Sequence, residues 1–133
     1  MSLNESNRDW YETLNKSSLT PPSYVFGIVW PVLYVMIIAS GVVFFSQPNN
    51  EYLALGTALY ILQWILNLTW SPLFFRYRQI SLSLLVILSM VVVVFSTVYV
   101  FGTQNNIAAV LLLPYSFWIS FASYLNAYIW YHN

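Results

Sequence analysis

The chain has 133 residues, enough for one domain, with 59% hydrophobic residues, 6% charged residues and no net charge. A soluble domain averages about 25% charged residues, so this composition excludes one: it cannot solvate a globular surface of this size. Balanced charge leaves no basic patch for nucleic acid, and the absence of cysteine excludes disulfides, thiol catalysis and thiolate metal sites.

Residues 1–18, MSLNESNRDWYETLNKSS, are polar and hold Glu5, Arg8, Asp9, Glu12 and Lys16, so no cleavable signal peptide is read there. Arg8/Glu12 and Glu12/Lys16 stand four apart, which predicts a short surface helix. Trp10, Tyr11 and Leu14 would dip into the membrane interface. The segment reads either as a frayed terminus or as a lid over a cavity.

The stretches 17–50, 52–75 and 79–133 then contain no Asp, Glu, Lys or Arg. Each is long enough for at least one span, which needs about 20 apolar residues. Thr20 is the expected N-cap of the first, with Pro21 in the first turn, where its missing N–H costs nothing. Four spans are predicted, at roughly 24–45, 52–75, 80–101 and 107–131, separated by turns at SQPNN, RYRQ and GTQNN. A backbone without water to bond must be helical, and alternating barrel patterning is absent. The fold class is an all-α integral membrane helical bundle: 1–18 a polar segment, 19–133 the bundle. Four spans put both termini on one side, with all four basic residues: Arg8, Lys16, Arg76 and Arg78. The positive-inside rule makes that side cytoplasmic.

Glu51 sits at the mouth of the second span, and the only histidine, His132, is next to last. A proton-coupled transporter needs an intramembrane ionisable group, a metalloenzyme clustered ligands and a catalytic triad a base. None is present mid-span, so no metal or cofactor is expected and recognition falls to shape, aromatic contact and neutral polar groups. Gly27, Trp30, Tyr34, Ile38 and Gly41 form one stripe of the first span. Pro31 removes the hydrogen bond to the Gly27 carbonyl, and glycine at 27 relieves the crowded bend. Gln63, Asn67, Trp70 and Phe74 share a face of the second span, and Tyr115, Trp118, Ala122 and Leu125 a face of the fourth. Aromatics at helical spacing are more often packing or interface belt, and an intramembrane amide is often helix–helix glue. Trp10, Trp130, Tyr128 and Tyr131 read as belt. Ala54 and Ala58 permit close helix approach, within one chain or in a homodimer.

Three stretches, WYETLNK…TPPSYVFGIVWPVLY, NLTWSPLFF and LLPYSFWISFASYLNAYIW, resemble the tryptophan-rich sensory protein/translocator protein family in order and spacing, over about residues 10–133. The resemblance implies a five-helix bundle binding porphyrins such as protoporphyrin IX, sterols in mammals, and benzodiazepine-type drugs. These 133 residues hold four spans, so the family's first helix would precede WYETLNK. Carried over by motif, the pocket residues are Trp30, Tyr34, Asn67, Trp70, Trp118 and Ala122. The covering loop would run from Trp10 to Pro22, including Tyr11, Pro21 and Pro22. Ser17 stands where the family commonly has proline, and Leu19 where an aromatic is common. The sterol motif keeps Leu125 and Tyr128 but has no basic residue, so sterol binding is not predicted.

The leading expectation is therefore a receptor or carrier for porphyrins and other hydrophobic small molecules, partnered by the lipid membrane. Light- and oxygen-dependent porphyrin breakdown is the alternative, with Trp30 and Trp118 as the redox-active residues. A four-helix multidrug exporter fits the length, but the membrane-embedded glutamate such exporters carry in their first span is missing.

Overall fold

The computed structural model describes residues 10–14, 16–21 and 23–133. Among the described residues there are four long helices: α1 (Ser23–Phe45), α2 (Leu53–Ser71, prolonged by a π-helical turn Pro72–Arg76), α3 (Ile80–Gln104) and α4 (Asn106–His132). With α2 counted through Arg76, each is long and apolar enough to cross a membrane. The 24 residues Leu53–Arg76 reach about 36 Å at 1.5 Å per residue, against a hydrocarbon core of about 30 Å. Large apolar residues such as Val35, Ile65, Leu85 and Val92 face outward, a surface suited to lipid. Outward hydroxyls bond within their own helices: Thr57 to the Leu53 carbonyl, Thr69 to Ile65, Ser89 to Leu85 and Ser96 to Val92, at 2.6–2.9 Å. No hydroxyl in that set is left to face lipid unbonded.

The main backbone contacts run α1–α4–α3–α2. Ser40, fully buried, draws α1 onto α4 by donating to the Ala108 carbonyl at 2.7 Å. Long side chains join α1 to α2. Tyr60 donates to the Ile37 carbonyl at 3.0 Å, and a Cβ at Gly41 or Gly56 would run into the rings of Tyr60 or Phe44.

Several local expectations are corrected. Thr20 does not cap α1, which starts at Ser23; its N–H instead closes a turn on the Ser17 carbonyl at 3.0 Å. Gly27 relieves no crowding, because a Cβ there meets nothing within 4 Å, and α1 continues as one helix through Pro31. The inward face of α1 runs through Trp30, Leu33, Ile37, Ser40 and Phe44, so Ile38 points outward. Successive steps of three and four drift slightly around the helix, and the extra step of four moved Ile38 off the face. The turn read at 102–106 shrinks to Asn105, whose Oδ1 caps α4 by accepting from the Ile107 N–H at 2.8 Å. Of the expected surface-helix pairs, Glu12/Lys16 forms at 3.8 Å, and Arg8 lies outside the described residues.

Candidate ligand-binding site

A cavity of about 660 Å³, counted with its open mouth, lies at the end of the bundle where α1 and α3 begin and α2 and α4 finish. Phe26 and Trp30 line it from α1; Trp70, Ser71, Phe74 and Phe75 from α2; Ala122, Leu125, Asn126 and Ile129 from α4; Tyr11 covers it.

The end of α2 is shaped by Pro72. Proline has no N–H, so the ladder cannot continue normally, and the Tyr77 N–H reaches five residues back to the Pro72 carbonyl at 3.0 Å. Such π turns recur at functional sites. This one carries Phe74, which stacks on Trp70 with centroids 5.5 Å apart, and Phe75, which meets Trp70 edge-on at 6.0 Å. Trp30 faces Trp70 across the bundle at 6.5 Å, tilted by 34°. Trp118 meets Trp30 edge-on at 6.3 Å and Phe26 at 5.6 Å. It supports two wall residues without lining the cavity itself, and its buried indole N–H has no acceptor among the described residues.

The segment before α1 packs over this end. Tyr11 sits edge-on to Phe74 and Phe75, and Trp10 edge-on to Phe74. Arg78 lies over the Trp10 ring at 5.3 Å and Lys16 over the Tyr11 ring at 4.6 Å, both within cation–π range. Lys16 also donates to the Tyr11 carbonyl at 2.9 Å. Ser17, buried, shares a 3.0 Å hydrogen bond with the Tyr124 hydroxyl of α4, which ties the segment to the bundle. Burial, with a smaller contribution from Glu12, pushes the Tyr11 hydroxyl up to about 12. Trp10 thus packs against the bundle, whereas Trp130 and Tyr131 lie exposed on α4. Pro21 precedes α1, and Pro22 lies outside the described residues.

Of the six pocket residues carried over by motif, Trp30, Trp70 and Ala122 meet around the cavity. Tyr34 and Asn67 belong to an adjoining hydrogen-bonded chain. Tyr34 donates to Asn67 Oδ1 at 3.0 Å, Asn67 Nδ2 to the Tyr115 hydroxyl at 2.9 Å, and Tyr115 to Gln63 Oε1 at 3.0 Å. Asn67 is fully buried, and the chain joins α1, α2 and α4.

Two polar wall residues, Ser71 and Asn126, were not singled out in the sequence. Asn126, 2% exposed, accepts from the Trp70 indole N–H at 2.9 Å and donates to the Ile80 carbonyl at 3.3 Å. Its signal was available, since it lies four residues beyond Ala122 on the same face and is an amide inside an apolar span.

The TspO/MBR family profile matches residues 1–131. A tryptophan-rich protein TspO of Chlorobaculum tepidum is 35% identical over 118 residues, covering 88% of this chain and 75% of that one. Another, from Archaeoglobus fulgidus, is 34% identical over 132 residues, covering 97% and 83%. The human translocator protein is 32% identical over 126 residues, covering 93% and 75%. With four apolar helices of spanning length, this chain is an integral multi-pass membrane protein and belongs to the TspO/MBR family.

Proposed function

We propose that this protein is a membrane receptor or carrier for porphyrins of the protoporphyrin IX type and similar hydrophobic ligands. The observation that carries the reading is the covered cavity walled by Tyr11, Phe26, Trp30, Trp70, Phe74 and Phe75. Aromatic faces give a broad flat ring large contact area at low conformational cost, and a few polar groups suffice to orient it. The cavity end carries Lys16, Arg76 and Arg78, and on the positive-inside rule it faces the cytoplasm together with both termini of this chain.

The test is a titration of the purified protein with protoporphyrin IX in nanodiscs, read by tryptophan fluorescence. Saturable quenching is expected, and the double variant Trp30→Phe, Trp118→Phe should lose much of it. Absence of saturation, or equal quenching in the double variant, contradicts the assignment.

A further inference from the structure

We propose that Asn126 is the specificity-determining residue of this cavity, and that it selects ligands bearing an acceptor oxygen, a carboxylate or a carbonyl, at their edge. The inference rests on the reading of the cavity as a ligand pocket. A primary amide offers two N–H donors and one carbonyl oxygen. Which end points where is fixed here by two partners that cannot exchange roles. The Trp70 indole is a donor only, so the atom facing it at 2.9 Å is Oδ1. The Ile80 carbonyl is an acceptor only, so the atom facing it is Nδ2. The Ser83 hydroxyl approaches Oδ1 at 3.3 Å but lies closer to the Ile80 carbonyl, at 2.8 Å, so its single hydrogen is shared.

With Oδ1 engaged and one N–H committed to Ile80, the second N–H of Asn126 remains, on a nearly buried residue that lines the cavity. Two other candidates for holding a polar ligand group are already occupied. The Trp70 N–H is bonded to Asn126, and the Asn67 amide lies between two tyrosine hydroxyls. In a wall whose other side-chain polar groups are the Ser71 and Tyr11 hydroxyls and the bonded Trp70 N–H, a free amide N–H favours an acceptor and discriminates against an all-hydrocarbon edge. The same amide holds the Trp70 ring in place, so shape and polarity are set by one residue.

The experiment compares protoporphyrin IX, which carries two propionates, with etioporphyrin, a porphyrin bearing only alkyl groups. Both are titrated into the wild type, Asn126→Leu and Asn126→Asp in nanodiscs. In Asn126→Asp, a protonated carboxyl would keep the bonds to Trp70 and Ile80 and lack only the free N–H. The wild type should prefer protoporphyrin IX by about tenfold, the worth of one hydrogen bond in a dry site. Asn126→Asp should lose that preference while holding etioporphyrin as before. Asn126→Leu should lose it too and weaken both ligands through the freed Trp70 ring. A preference that survives in both variants overturns the assignment of Asn126 and leaves the pocket standing. If neither porphyrin binds the wild type saturably, the pocket reading falls and this inference with it.

Discussion

Where α1 ends and α2 begins, the Phe44 ring lies flat on Phe101, with centroids 3.9 Å apart and planes within 5°. Tyr60 stacks on Phe101 at 5.9 Å, and Phe45 meets Tyr60 edge-on at 5.5 Å. At the opposite end Trp30, Trp70, Phe74 and Trp118 approach one another only at 5.5–6.5 Å, mostly tilted or edge-on, around an open volume. Both ends are rich in aromatic rings, so ring content does not decide which one is hollow. Backbone approach does. Gly41 and Gly56 receive Tyr60 and Phe44 directly, whereas Gly27 at the hollow end has nothing within 4 Å of its Cβ position. The hollow end instead has the π turn at Pro72, which widens α2, and a covering segment held by Arg78, Lys16 and Ser17. Glycine lets one aromatic cluster close, while proline and a strap keep the other open beneath a roof.

Separate mutational signatures should follow. The largest effect is expected at the closed end. Phe44→Ala empties a fully buried site and should cost about 3–5 kcal/mol of stability. Thermal unfolding should show that loss, while protoporphyrin affinity of the folded protein stays within about twofold; a parallel fall in affinity would erase the distinction between the ends. Next is Asn67→Leu, between the two clusters. It strands the Tyr34 hydroxyl and takes away the bond that Tyr115 accepts, leaving Tyr115 its bond to Gln63, and should lower stability by about 1–2 kcal/mol, with ligand affinity changing less. Affinity loss at an unchanged melting temperature would instead move Asn67 into the pocket. The smallest effect concerns the roof. Tyr11 is raised from 10.0 to about 12, so its hydroxyl ionises more readily once uncovered. The cover is therefore fully favoured below pH 10 and weakens as pH rises from about 10 to 12. The ligand release rate should climb over that window more steeply in the wild type than in Tyr11→Phe.

Much of this arrangement was legible in the residues. Charge-free stretches marked the four spans because a membrane core penalises ionised groups. The face Gln63, Asn67, Trp70, Phe74 is buried throughout, since steps of four, three and four keep one side of a helix toward its neighbours. The rest depended on which helices meet. Gly27 looked crowded because Pro31 was expected to bend the helix there, whereas α1 runs on through Pro31 with nothing within 4 Å of a Cβ at Gly27, and packs principally on α4, the helix farthest from it in sequence. Asn126 stood unnoticed because its role is set by Trp70, 56 residues away. Ser17 occupies a position where the family commonly has proline, and only the tertiary fold reveals its bond to Tyr124.

The central claim is the location of the ligand, and indole NMR tests it most directly. The chain has six tryptophans: Trp10, Trp30, Trp64, Trp70, Trp118 and Trp130. Their indole ¹⁵N–¹H signals can be assigned by single Trp→Phe replacements and followed during a protoporphyrin IX titration, where the ring current of the macrocycle shifts nearby nuclei. The account predicts saturable shifts at Trp30 and Trp70 in the wall and at Trp10 in the cover, with exposed Trp130 unmoved. Saturable shifts at Trp130 with Trp30 and Trp70 unchanged would contradict it.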